Sequence, residues 1–132
     1  MAQPSQFSYD CWSYAYWRIP EWDRPLVHGI YWVYQWELQN IYSYELPCGE
    51  ALPWEGTFRW AVEWGCNNWW EYTTDAMIHE IGHIVMVYWY GDWTEQAADN
   101  YARWVKGAPL VWDPPGQAMP ELMVTRAGMV PV

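Results

Sequence analysis

Lysine occurs once in these 132 residues, at Lys106, and the six basic side chains in all face sixteen acidic ones, a formal net charge of −10. Binding to nucleic acid needs a basic patch that neutralises phosphates. Adhesion to anionic lipid needs the same sign of charge. The chain has material for neither, so no nucleic-acid and no membrane partner is expected. Long apolar runs are also missing. The longest, Ile84 to Tyr90, falls far short of the ~20 residues of a membrane-spanning helix. The stretch Met1 to Gln6 has no basic region and no apolar run behind it, so no signal peptide is legible, and the sequence assigns no compartment. Cysteine is scarce: Cys11, Cys48 and Cys66 are an odd number and do not make a disulfide framework. The default is three reduced, mostly buried thiols, with a Cys48–Cys66 bridge as the alternative in an oxidising setting.

Tryptophan and tyrosine are abundant, 14 and 11 residues against two phenylalanines. Such rings bury a large apolar body while the polar tip stays wet or finds a partner. They therefore read first as core plus interface, and second as a surface that stacks on sugars or docks a protein. With 52% apolar residues the composition is that of a folded chain, and its length suits one domain spanning 1–132. The acidic balance favours neutral or basic peptide substrates and basic partner surfaces.

The N-terminal half alternates. Ile30, Trp32, Tyr34, Trp36 and Leu38 share one face of a period-two run, and Phe58, Trp60, Val62 and Trp64 share one face of another. Both read as strands, and Trp12 to Ile19 is expected to be a further one. Tyr42, Tyr44 and Leu46 continue the habit until Pro47, Gly49 and Pro53 break it. After Gly65 the period lengthens. Met77, Ile81, Ile84, Val85 and Tyr88 recur at helical spacing, with Thr73 and Thr74 as candidate N-caps and Gly91 as the stop. A glycine inside that helix, Gly82, marks a place where another backbone packs closely. A second helix runs from about Glu95 to Lys106, with Thr94 as N-cap and Gly107 as stop. The proline-rich tail over 108–132 reads as irregular, with one short turn around Pro120 to Thr125. Strands mainly over 12–64 followed by helices at about 75–106 make an α+β domain.

The first of these helices carries His79-Glu80-Ile81-Gly82-His83, an H-E-x-x-H sequence. On a helix, histidines four residues apart project from one face and can grip one metal ion, with Glu80 beside them to polarise a metal-bound water. A catalytic zinc takes three protein ligands. Glu95, at the start of the next helix, is the candidate for the third. Asp99 lies one turn on, placed to accept the proton of a ligand histidine's other nitrogen. Ala97, Ala98 and Ala102 would let the two helices approach.

Glu95-Gln96-Ala97-Ala98-Asp99 resembles the E-x-x-[SA]-D motif of the gluzincin metallopeptidases, the group that includes thermolysin. The stretch Glu95 to Ala102 is also similar to the second motif of ImmA/IrrE-type peptidases and of very short gluzincins. The resemblance covers His79 to about Ala102. It implies a compact zincin-like domain: a small, mostly antiparallel sheet, then an active-site helix, then a glutamate helix. It further implies that His79, His83 and Glu95 bind zinc, that Glu80 is the general base and acid, that Asp99 supports a ligand histidine, and that an edge strand holds an extended peptide or protein substrate. The spacing from His83 to Glu95 is shorter than in thermolysin, so the compact relatives are the better comparison. Those relatives often supply a downstream His or Tyr to the oxyanion. No histidine follows His83 here, which leaves Tyr88, Tyr90, Tyr101 and Arg103 as substitutes with no choice among them. His28, between Val27 and Gly29, reads as structural. A metzincin would need Gly and His where Met86 and Trp89 stand, and the neighbours of Cys66 do not match a peptide deformylase.

Two functions of different class follow as expectations. One is a zinc-dependent peptidase with Glu80 as base. The other is a zincin-fold binding or structural protein, in which zinc is a staple for a small domain and the Trp/Tyr-rich surface binds a protein partner or a glycan.

Overall fold

The computed structural model describes residues 2–38 and 47–119. Helix α1 spans Gln6–Arg18 and strand β1 Gly29–Val33. Strands β2, Gly49–Leu52, and β3, Thr57–Ala61, form a hairpin. Helices α2, Trp70–Tyr90, and α3, Glu95–Lys106, complete the order. The α+β class agrees with the sequence reading. The sheet is mixed rather than mostly antiparallel: its order is β1-β3-β2, with β1 parallel and β2 antiparallel to the central β3. The short connection from Leu52 to Thr57 forces the hairpin, whereas the long excursion after β1 returns the chain in the same direction.

The segment expected as a strand over Trp12 to Ile19 is the greater part of α1. Ser5 caps it, accepting from the amide of Ser8 at 3.1 Å. Ser8, Cys11 and Ala15 form its buried face, a helical spacing of small residues that the surrounding aromatics disguise. Tyr9, Tyr14 and Trp17 are apolar by type yet exposed here.

The other strands are shorter than their alternation suggests. β1 stops at Val33, and Gln35–Glu37 forms a 3-10 turn. There side-chain carboxylates serve the backbone in place of a ladder. Glu37 accepts from the amide of Tyr34 at 2.6 Å, and Glu63 accepts from that of Gln35 at 3.0 Å. β3 ends at Ala61, and Trp64–Cys66 is another 3-10 turn. The run Tyr42, Tyr44, Leu46 and the turn at Pro120 to Thr125 lie outside the described residues.

Helix α2 begins at Trp70, earlier than expected, and Thr73 and Thr74 are inside it rather than capping it. Their hydroxyls donate to carbonyls, Thr73 to Cys66 at 2.9 Å and Thr74 to Trp70 at 2.8 Å. Gly91 ends α2 in the left-handed region, φ 62°, where residues with a Cβ are disfavoured. α3 matches its expected bounds. Thr94 accepts from the amide of Ala97 at 3.1 Å, and Gly107 closes the helix.

The core lies between one sheet face and the helices. Phe58 and Trp60 of β3 pack with Ile81 and Val85 of α2, Ala15 of α1, Ile19 just past its end, and Tyr101 of α3, all essentially inaccessible. Burying side chains of this size contributes ~1.5–3 kcal/mol each. The opposite sheet face carries the half-buried Arg59–Glu50 ion pair at 3.0 Å and the exposed Tyr31. The cysteines depart from the default of three thiols. Cys48 and Cys66 are joined by a disulfide, and Cys11 remains a buried thiol.

Candidate metal centre

His79, Glu80 and His83 lie in the middle of α2, where the helix is buried along most of its length. Four-residue spacing stacks the two imidazoles one turn apart, with ring centroids 4.8 Å from each other. Donor atoms of His79, Glu80 and His83 all fall within 4.8 Å of one another. Glu80 is 3.8 Å from Nε2 of His79 through Oε1, while its buried Oε2 has no hydrogen-bond partner.

α3 supplies the acids. Gly82 makes this approach feasible: a Cβ there would sit 2.8 Å from the carbonyl oxygen of Ala98 and 3.1 Å from its Cα. With the helices in contact, one oxygen of Glu95 meets both imidazoles, 2.8 Å from Nε2 of His79 and 3.1 Å from Nε2 of His83. Asp99, one turn on, accepts from Nδ1 of His79 at 2.8 Å. With both ring nitrogens protonated, Nε2–H donates to Glu95; in a neutral imidazole held by Asp99, Nε2 would instead offer its lone pair to a metal.

The electrostatics follow from this crowding. Burial disfavours the charge on His79, but the hydrogen bonds to Asp99 and Glu95 outweigh it and carry the group up to about 10. Hydrogen bonds from His79 and His83 hold the Glu95 carboxyl well below the usual carboxylate range. Burial raises Glu80, against the pull of the two histidines. Without a metal, two carboxylates and the imidazoles thus satisfy each other around one point.

Two imidazole nitrogens and a carboxylate oxygen could hold a divalent metal ion, and zinc is one that accepts such donors. Tetrahedral zinc with bonds of ~2.0–2.2 Å to nitrogen and oxygen places its ligands ~3.3–3.5 Å apart. The observed 2.8 and 3.1 Å separations need to open by only a few tenths of an ångström. Oε1 of Glu80 lies beside this point, 3.8 Å from Nε2 of His79, and Oε2 is buried without a hydrogen-bond partner.

The centre opens into a cleft of about 340 Å³ lined by Pro47, Cys48, Gly49, Trp60, Tyr72, Ala76 and Trp112 together with His79, Glu80, Glu95 and Asp99. All five residues expected at the site therefore come together. Tyr101 and Arg103 do not, and are withdrawn as oxyanion donors. The Tyr101 hydroxyl donates to buried Asp23 at 2.9 Å, and Arg103 forks onto Asp113 at 2.9 and 2.6 Å. Tyr88 borders a different groove, with Leu26, His28 and Trp54, and Tyr90 is not among the cleft residues. His28 is structural, its Nδ1 2.7 Å from the carbonyl oxygen of Glu55.

Several cleft residues were missed by sequence reasoning. Tyr72 and Ala76 precede His79 by seven and three residues, on its own helix face, and starting α2 at Trp70 would have found them. Trp60 turns toward the site because its indole N–H donates to Asn67 at 2.9 Å. Trp112 arrives from the irregular segment after α3, edge-on to His79 at 6.0 Å and to Tyr72 at 6.1 Å. No local signal announces it. Comparison of the chain with protein-family models, with curated proteins and with solved structures yields no match.

Proposed function

We propose that this chain is a zinc-dependent, gluzincin-like metallopeptidase. The observation that carries the reading is the convergence of His79, His83 and Glu95 on one point beside the buried carboxylate of Glu80, in a cleft open to solvent. His79, His83 and Glu95 would hold the ion, and Asp99 would keep His79 in the binding tautomer. Zinc in that position supplies a Lewis acid and an activated water.

Glu80 then does the proton work. Its raised affinity for a proton suits a base that takes one from the attacking water and returns it to the leaving amine. Strand β2 offers the substrate a backbone. The amide of Ala61 donates to the carbonyl of Cys48 at 2.8 Å, so alternate residues Cys48, Glu50 and Leu52 face β3. Gly49 and Ala51 direct their N–H and C=O groups to the other side. Among the described residues β2 pairs with β3 alone, and an extended peptide could add along its free edge. Among the described residues no lysine or arginine lines the cleft, which favours neutral or basic peptides.

The rival reading, a zinc-stapled binding protein, draws on exposed rings such as Trp36 and Trp64, 77% and 78% accessible. One experiment separates the two. Zinc content and cleavage of a mixed peptide library are measured for the wild type and for Glu80→Gln. The peptidase reading expects both proteins to hold zinc and the variant to lose about 10²-fold or more in cleavage rate. Equal cleavage by both sinks the role of Glu80. Zinc binding without any cleavage by the wild type favours the binding protein.

A further inference from the structure

The metal ligands and the edge strand are held by different parts of the molecule. His79, His83 and Glu95 belong to α2 and α3, which lock together where Gly82 meets Ala98. The edge strand β2 is only four residues long and has one neighbour in the sheet among the described residues. Strands this short, bonded on one side, are among the first parts of a fold to open.

The Cys48–Cys66 disulfide secures its near end. Cys48 directly precedes Gly49 and lines the cleft, while Cys66 is in the 3-10 turn ahead of α2. Other bonds converge on the same point. Gln35 donates through Nε2 to the carbonyl of Pro47 at 3.1 Å and to Sγ of Cys66 at 3.8 Å, and the Thr73 hydroxyl holds the carbonyl of Cys66. Gly49 is seated so closely that a Cβ would lie 2.8 Å from the Trp60 ring and 3.2 Å from Cγ of Glu80. The base and the strand edge are in register because of this seat.

We infer that the Cys48–Cys66 bond positions the substrate-binding edge of the cleft against Glu80, so that a thiol reductant disables peptide binding while the metal ligands stay assembled. The peptide part rests on the peptidase reading; the positioning part does not. Cys66 is 2% exposed and Cys48 half-buried on the cleft wall, so an incoming thiolate reaches Sγ of Cys48. A mixed disulfide forms there and the Cys66 thiolate leaves and takes a proton. The second thiol of a dithiol then attacks the first dithiol sulfur, and the Cys48 thiolate leaves and takes a proton. Both cysteines end as thiols and the dithiol as its own disulfide.

The test uses the intact chain. Amide hydrogen exchange is followed with and without dithiothreitol on the metal-free protein, and in Cys48→Ser/Cys66→Ser. Exchange at the β3-bonded amides of Glu50 and Leu52 is expected to rise about tenfold or more, with the amides of α2 and α3 from His79 to Asp99 little changed. Dithiothreitol binds zinc, so zinc affinity is measured on the double variant, where it should stay within about threefold of wild type. Binding of an uncleaved peptide is compared, by calorimetry, in Glu80→Gln with and without the two serines, with about a tenfold weakening expected. Cys11→Ala should leave every result unaltered. Unchanged exchange in β2, or zinc affinity lost together with it, overturns the inference. If Glu80→Gln binds no peptide even with the disulfide intact, the peptidase reading fails, and the exchange data still decide what the bond positions.

Discussion

Nδ1 of His79 donates to Oδ1 of Asp99 across 2.8 Å, although twenty residues separate them in sequence. The bond joins the helix that carries the imidazoles to the helix that carries Glu95, one turn away from Asp99. Replacing Asp99 by Asn keeps the shape but lets the amide present either a donor or an acceptor to Nδ1. Loss of such a supporting partner typically weakens metal binding ~10–100-fold. Competition with a chromophoric chelator should show a loss of this size in Asp99→Asn, with the far-ultraviolet spectrum retained. Wild-type zinc affinity in the variant would remove Asp99 from the site.

Gly82→Ala is informative in sign. On an exposed helix this change stabilises by ~1 kcal/mol. Here the new methyl meets backbone atoms of Ala98 at 2.8 and 3.1 Å, and neither helix can yield locally. We expect a net loss of ~1–3 kcal/mol in urea denaturation. Zinc affinity should fall as well, because α3 must shift with Glu95 and Asp99 on it.

The Arg103–Asp113 pair should control acid stability. Both side chains are nearly inaccessible, 6% and 2% exposed. The hydrogen bonds from Arg103 hold the Asp113 carboxyl below its ordinary range, against the effect of burial. A lowered folded pKa contributes stability that is present above the unfolded carboxylate value near 4 and lost as pH falls through the folded value. Asp113→Asn should therefore cost about 2 kcal/mol at neutral pH and flatten the loss of stability below pH ~4. Denaturation across a pH series checks this. Asp113 also accepts from the amide of Leu110 at 2.6 Å, so the same variant should loosen the segment that carries Trp112.

Removing the disulfide should lower stability by about 3 kcal/mol, the loop-entropy value for its 18-residue separation. Thermal denaturation of Cys48→Ser/Cys66→Ser against wild type measures it. No change would mean that residual structure already confines this loop in the reduced, unfolded chain.

The site was more legible than the fold around it. α3 was readable to the residue because Thr94 and Gly107 punctuate a segment with a clear apolar side. α1 was misread because aromatic residues occupy its exposed positions, so apolar type and burial part company at Tyr9, Tyr14 and Trp17. The strands were overextended because alternation continues past the last ladder bond, where Glu37 and Glu63 take over the backbone amides.

The sequence by itself determined the helical spacing of His79, Glu80 and His83, the caps that start and stop α3, and the small residues that let it approach α2. These are local properties, set by helix period and by backbone freedom at single positions. The tertiary structure alone decided that Glu95 bridges the two imidazoles, that Asp99 reaches His79, that Cys48 meets Cys66, and that Trp112 lines the cleft. Each of those contacts joins distant segments. They form because burying the faces of α1, α2 and the sheet fixes where those segments lie, and no residue's own preference encodes that.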